Sequence, residues 1–221
     1  MRSEPLVKIA VLGATGRLGQ LLVTFAVDTG HDIFALARTP GRYINATGRT
    51  VTVVQADATD PASLTAAIAG IDVVLNGLGV SRKEDPAVLM HAADAFLAAQ
   101  VPVVIWPGRL GTGATSDVPT SFILKLTEAE LSIREKAEDL VRSGGGTVIH
   151  TDKFGRGVAG KNRALVPAEG LHRGLSQWRF QREDLAILMI NESLAQQFAG
   201  RTAAVAELDS MKRTPKATPE I

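Results

Sequence analysis

Three glycines, Gly13, Gly16 and Gly19, stand between an apolar run, Val7-Lys-Ile-Ala-Val-Leu12, and a stretch that opens Gln20-Leu-Leu-Val-Thr-Phe-Ala26. A turn of this composition lets the backbone approach a ligand without a Cβ in the way. If a helix starts at the turn, its first N–H groups have no partner of their own, and together they cradle a phosphate or pyrophosphate. Thr15, Arg17 and Leu18 belong to the same turn, and Arg17 adds a positive charge to it. A second cationic group follows the run Asp32-Ile-Phe-Ala-Leu-Ala37, where Arg38 and Thr39 come next and Arg42 stands three residues on. A dinucleotide with a free ribose 2′-hydroxyl is usually held there by Asp or Glu, whereas a 2′-phosphate calls for a cation. Guanidinium grips phosphate through two parallel hydrogen bonds, and the Thr39 hydroxyl can add a third. The residues therefore point to NADP(H) as the cofactor.

A tight strand-to-helix turn needs glycine for ordinary steric reasons too, so the flanking pattern has to carry the distinction. The run before Gly13 is short, apolar and rich in β-branched residues, as in a strand buried on both faces of a parallel sheet. After it, Leu18, Leu21, Leu22, Phe25 and Ala26 recur at helical spacing. The same alternation continues along the chain. Strands are expected at Val51–Gln55, Ile71–Leu75, Val101–Trp106, Thr147–His150 and Thr202–Leu208. Helices are expected from Pro61, with Asp60 as N-cap, to Ile68, over Pro86–Gln100 and over Thr127–Arg142. On the Pro86–Gln100 helix, Val88, Leu89, Ala92, Ala93, Phe96 and Leu97 form the buried stripe, and His91 and Asp94 fall off it toward solvent. Strand alternating with helix in this way predicts an α/β fold, a Rossmann-like doubly wound parallel sheet.

In such a sheet the ligand crevice lies beyond the carboxyl ends of the strands. Asp57 and Ala58 should therefore sit near the adenine, with Asp57 acting either as a loop cap or as a base contact, and Gly77, Leu78 and Gly79 should run along the cofactor. Val80-Ser81-Arg82 would border the substrate. The loop from Gly111 to Pro119 has a composition suited to a lid.

The chain has 221 residues, 24 basic against 23 acidic, and 45% hydrophobic residues. That is enough for one well-filled α/β core over residues 1–210, with a small variable C-terminal region on the substrate side and a frayed tail at 211–221. A net charge of +1 gives no field that would select nucleic acid or an anionic membrane. The absence of cysteine removes disulfides and thiolate chemistry. Neither His31 nor His172 has company suggesting a metal. The opening Met-Arg-Ser-Glu-Pro runs straight into the first strand, and no apolar run approaches the roughly 20 residues of a membrane span, so a cytoplasmic location is expected. The expected partner is a small-molecule substrate, and both monomer and homodimer remain open.

The motif Gly13-Ala-Thr-Gly16-Arg-Leu-Gly19, the strand ending in Ala37-Arg38-Thr39 and the later Ala56-Asp57-Ala-Thr-Asp60 resemble the atypical short-chain dehydrogenase/reductase group, of the NAD(P)H-binding or NmrA-like kind that includes flavin and biliverdin-IXβ reductases. The resemblance extends to about Leu208. It implies that Lys136 stands where the group carries the lysine of a Tyr-x-x-x-Lys pair, holding the nicotinamide ribose, with Ser132 in place of the tyrosine. Where relatives carry serines after the fifth strand, this chain has Pro107-Gly108-Arg109. Near the end of the sixth strand, Asp152-Lys153 replaces an Arg-Pro of the relatives, and Phe154 follows.

A helical wheel of Thr127–Arg142 puts Glu130, Arg134, Glu138 and Arg142 on the water side and Ala129, Ile133, Ala137 and Leu140 on the buried side. Lys136 and Ser132 then fall at the edge of the apolar stripe. His150 is either a satisfied strand-end histidine or a general acid, and Lys153 is a further candidate for moving a proton. Asp184, in Arg182-Glu-Asp184-Leu-Ala, is expected to cap a helix. Three functions fit these features. The leading one is NADPH-dependent hydride transfer to a small conjugated substrate. The others are a nicotinamide sensor without turnover and a redox-neutral cyclase or isomerase.

Overall fold

A computed structural model of the chain describes residues 6–79, 85–116, 128–151, 154, 163–170 and 181–207. Eight strands form one sheet: β1 Lys8–Leu12, β2 Asp32–Ala37, β3 Thr52–Gln55, β4 Val73–Asn76, β5 Val103–Arg109, β6 Thr147–Thr151, β7 Arg163–Pro167 and β8 Thr202–Glu207. Their order across the sheet is β3-β2-β1-β4-β5-β6-β8-β7, with every neighbouring pair parallel except β7 against β8. The chain thus winds outward from β1 in one direction and then from β4 in the other. The reversal between them opens a crevice at the carboxyl ends of the strands, as in other doubly wound sheets.

Among the described residues, five helices cover the two faces: α1 Arg17–Ala26, α2 Pro61–Ala67, α3 Ala87–Ala98, α4 Glu128–Ser143 and α5 Arg182–Ala195. Alternate residues of the central strands feed opposite cores. Ile9 and Val11 of β1 pack with Leu22, Val23 and Ala26 of α1 and with Leu185 and Met189 of α5. Ala10 and Leu12 face the other way, toward Leu64 of α2, Ala92 and Phe96 of α3 and Ala137 and Val141 of α4. Both faces of β1 are therefore sealed, which is why Ile9 to Leu12 are apolar without alternation.

Elements predicted from the sequence appear within a few residues of their expected ends, with one informative exception. The fifth strand continues past Trp106 through Pro107-Gly108-Arg109. Proline lacks the N–H that a central strand donates, but β4 stops pairing at Leu75↔Ile105, and from Pro107 onward β5 is bonded to β6 alone. The stretch Arg163–Pro167 is the antiparallel edge strand. Asp60 caps α2, accepting from the N–H groups of Ala62 and Ser63. Among the described residues no helix is long and apolar enough to cross a membrane. The expected tail at 211–221 lies outside the described residues.

At the start of α5 the Asp184 carboxylate accepts the Gln181 N–H at 2.9 Å, completing a capping box, and is itself 4% exposed. Replacing a capping carboxylate with alanine removes that bond and leaves the amide unpaired. Asp184→Ala is therefore expected to lower the free energy of unfolding by about 1–2 kcal/mol, measured as a shift in the urea midpoint at unchanged slope.

Candidate functional site

At the carboxyl ends of β1, β2, β3 and β4 lies a cleft of about 470 Å³, a volume typical of small-molecule and cofactor sites. Its floor is the glycine turn. Gly13 has φ +72°, a left-handed conformation that suits glycine, and its carbonyl accepts the Gly16 N–H at 2.8 Å. Gly16 then stands as the N-cap of α1 with no side chain to cap the helix. The first-turn amides thus remain for a ligand, and no acidic residue lies in that turn to compete for them.

Gly19 faces back onto the same turn, and a Cβ built there would lie 2.1 Å from the Gly13 carbonyl oxygen. A Cβ on Gly77 would lie 2.8 Å from the Leu12 carbonyl and 2.9 Å from the Gly19 Cα. The end of β1, the first turn of α1 and the loop after β4 are therefore in backbone contact. The Asn76 side chain accepts the Leu78 N–H at 3.1 Å and shapes that loop from beneath.

At one end of the cleft Arg38, Thr39 and Arg42 line its wall, all three exposed. Among the described residues neither arginine has an ion-pair partner. Beside them is Asp57, whose Oδ1 accepts both the amide and the hydroxyl of Thr59. Those bonds, with the nearby Arg38 charge helping, hold its carboxyl below the ordinary aspartate range. The loop-cap role of Asp57 is thus present in the structure, and the residue borders the cleft as well.

Gly13, Thr15, Gly16, Arg38, Thr39, Asp57, Ala58, Gly77, Leu78 and Gly79 all line this one cleft. Arg17 and Leu18 lie in the first turn of α1 but outside the lining. Three residues of α3 that sequence reasoning did not select, Ala87, Val88 and His91, also line it. The apolar stripe claimed Val88 for the core and sent His91 to solvent. A helix crossing the end of a sheet, however, presents one flank to the crevice, which periodicity alone does not show.

The predicted catalytic residues are distributed differently. Lys136 is exposed and Ser132 half-buried, and neither lines the cleft. His150 is fully buried at the end of β6. Its Nε2 lies 2.9 Å from the Glu138 carboxylate and its Nδ1 2.8 Å from the Thr115 hydroxyl. A carboxylate acceptor calls for a proton on Nε2, so the ring is oriented between α4 and the short 3-10 turn Gly113–Thr115. Lys153, with Asp152 and Val80-Ser81-Arg82, lies outside the described residues.

Glu138 departs from the wheel. It is 3% exposed, not water-facing. Others of the series expected in water are also partly covered: Arg142 donates to the Thr202 hydroxyl of β8 at 2.9 Å, and Arg134 is half-buried. Burial pulls the pKa of the Arg134 guanidinium below the ordinary arginine value, while the charges of Glu138 and Glu130 act in the opposite direction. The wheel misplaced Glu138 and Arg142 because partners on β6 and β8 satisfy their polar groups, and those partners are distant in sequence. Gly108 is part of the same arrangement. A Cβ there would come within 2.5 Å of the His150 ring and 2.9 Å of the Glu138 carboxylate. The stretch that carries serines in the resembling group is here shaped to admit an imidazole.

The family model for NAD(P)H-binding proteins matches residues 13–192, so the chain belongs to that NAD(P)H-binding family. An isoflavone reductase homolog from Arabidopsis thaliana is 33% identical over 93 residues, covering 38% of this chain and 30% of that protein. The photosystem II assembly factor Ycf39 of Cyanophora paradoxa is 30% identical over 128 residues, 54% of this chain and 40% of its own. The chain thus spans less than half the length of these curated relatives. Among solved structures, a short-chain dehydrogenase/reductase from Veillonella parvula in complex with NADP superposes with TM-score 0.72 at 19% identity, covering 92% of this chain and 95% of the other. A Streptococcus pneumoniae protein assigned as an NADH-flavin reductase does so with TM-score 0.69 at 18% identity, over 91% and 99%. Both share the fold.

Three substitutions check the site as built. Gly19→Ala forces a Cβ into the Gly13 carbonyl and should cost about 1–3 kcal/mol of stability, together with nucleotide binding, read by chemical denaturation and calorimetry. Glu138→Ala leaves the His150 ring nitrogen buried without its partner and should cost about 1–3 kcal/mol. Lys136→Ala, at an exposed position, should stay within about 0.5 kcal/mol of the parent.

Proposed function

We propose that the protein is an NADPH-dependent oxidoreductase that passes hydride to a small, flat, conjugated acceptor of the flavin, quinone or enone kind. The observation that carries the cofactor preference is the pair of cations Arg38 and Arg42, without ion-pair partners among the described residues, bordering the cleft beside Asp57. An acid at the end of β2 would suit a free 2′-hydroxyl; a guanidinium there suits a 2′-phosphate. The residues present fit the nucleotide in a second respect. A Cβ at Gly13, Gly19 or Gly77 would crowd neighbouring backbone, and the resulting bare-backbone turn leaves the amides at the start of α1 open to a pyrophosphate.

In this scheme the amides of the α1 first turn bind the pyrophosphate, and Arg38 holds the 2′-phosphate through a two-pronged contact. The Gly77–Gly79 loop lets the dinucleotide lie close against the sheet edge. When bound, NADPH supplies the hydride, and the acceptor gains two electrons from it and one proton from solvent. The protein's contribution is orientation and exclusion of water.

The position of His150 supports the choice of acceptor. Both of its ring nitrogens are engaged inside the protein, so an acceptor whose reduced form takes its proton from water fits better than a simple ketone. The isoflavone reductase homolog and the protein assigned as an NADH-flavin reductase lend the redox reading further support. The same position of His150, with Lys136 out in solvent, also suits a second reading, in which the protein binds NADP(H) as a sensor without turning it over.

Stopped-flow absorbance of NADPH with a panel of flavins, quinones and enones separates the two. Oxidation at a catalytic rate supports the reductase; tight binding without oxidation supports the sensor. Product formed with NADPH intact would support a redox-neutral enzyme. Arg38→Ala is expected to raise the Kd for NADPH by about 10- to 100-fold, the worth of a charge-assisted phosphate contact, and to leave the Kd for NADH unchanged, measured by titration calorimetry.

A further inference from the structure

His91 lines the cofactor cleft from α3, three residues after Val88 and on the same face of the helix. Its Nδ1 is buried and, among the described residues, has no hydrogen-bond partner. Buried polar atoms are almost always paired, and one left over at the wall of a binding cleft marks a group whose partner arrives with the ligand. No other function is evident for it: Asp94, on the next turn, is exposed, whereas Ala92 and Ala93 beside it are fully buried.

What part of a dinucleotide His91 would meet follows from the far wall. Arg38 and Asp57 lie close enough for the guanidinium charge to act on the carboxyl. A 2′-phosphate held by Arg38 belongs to the same ribose as the adenine, so the base must occupy this end of the cleft. Here it is bounded by Asp57, Ala58 and Thr59 after β3 and by Val88 and His91 of α3. Val88 offers an apolar surface to the face of a base, and an imidazole nitrogen offers a hydrogen bond to its edge. Adenine presents donors and acceptors around that edge, and neutral imidazole can supply either role through its tautomer.

We propose that His91 is a specificity-determining residue that reads the adenine of the dinucleotide through Nδ1. The proposal rests on NADP(H) being the ligand of this cleft.

The experiment measures Kd by calorimetry for NADP⁺ and for adenosine 2′,5′-bisphosphate, which carries the adenine and the 2′-phosphate without the nicotinamide. His91→Phe keeps a ring of similar size and removes the nitrogen. His91→Asn loses the ring and keeps a hydrogen-bonding atom near the place of Nδ1. His91→Phe should weaken both ligands about tenfold, the value of one buried hydrogen bond, while His91→Asn should stay within about threefold of the parent. If packing alone mattered, the order would reverse. Binding by His91→Phe as tight as the parent's, or His91→Asn as weak as His91→Phe, overturns the assignment.

A readout independent of any variant comes from ¹⁵N spectra of the imidazoles in the natural protein. The Nδ1 resonance of His91 should move on titration with the bisphosphate, and a resonance that stays put overturns the proposal. If the natural protein binds neither ligand, the cofactor reading falls and His91 with it. If it binds both and only the His91 results fail, the cofactor reading stands.

Discussion

Three backbones meet where β1 ends, and none of them has room for a side chain. Gly19 of α1 packs onto the Gly13 carbonyl, and Gly77, after β4, packs onto Leu12 and Gly19. This contact sets the distance of α1 from the sheet and of the β4 loop from both. It also leaves the first amides of α1 uncovered at the floor of the cleft. A methyl group at any of the three positions would push apart the elements that converge at the floor of the cleft. The proposed phosphate site is therefore a consequence of close packing: the geometry that seals β1 between two hydrophobic cores is the one that exposes the helix N-terminus.

Around that point the cleft divides by charge. The α1 turn carries amides and no carboxylate, the end of β2 carries two guanidinium groups, and the loop after β3 carries a carboxylate already bonded to its own loop. The anion at Asp57 is thus committed before a ligand arrives, and the cations at Arg38 and Arg42 are not. Such an asymmetry favours a ligand whose extra negative charge falls beside Arg38.

Further along the sheet, polar groups serve the fold. His150, Glu138 and Thr115 form a closed chain of contacts joining β6, α4 and the turn after β5, and Gly108 gives the imidazole its space. Glu192 does comparable work at the other end of β6, where its carboxylate accepts from the Thr147 hydroxyl and the Phe198 amide. Each group is costly to bury alone and acceptable once its bonds are made. Residues of the types that commonly perform acid–base chemistry are here largely enclosed within the structure.

Local patterns were enough to establish the alternation of strand and helix, the glycine turn, the cationic end of β2 and the capping roles of Asp60 and Asp184, because each depends on residues within a few positions of one another. Ten of the residues selected for a dinucleotide meet in one cleft for the same reason: they stand at strand ends, and the topology of a doubly wound sheet gathers strand ends. What the sequence could not determine was the rotation of α4 and the exposed flank of α3. Helical periodicity ranks faces by hydrophobicity. Glu138 and Arg142 are drawn inward by partners on β6 and β8, and His91 is turned toward the cleft by where α3 crosses the sheet. Burial of a polar group depends on a partner supplied from elsewhere in the chain, and only the tertiary structure brings that partner into reach.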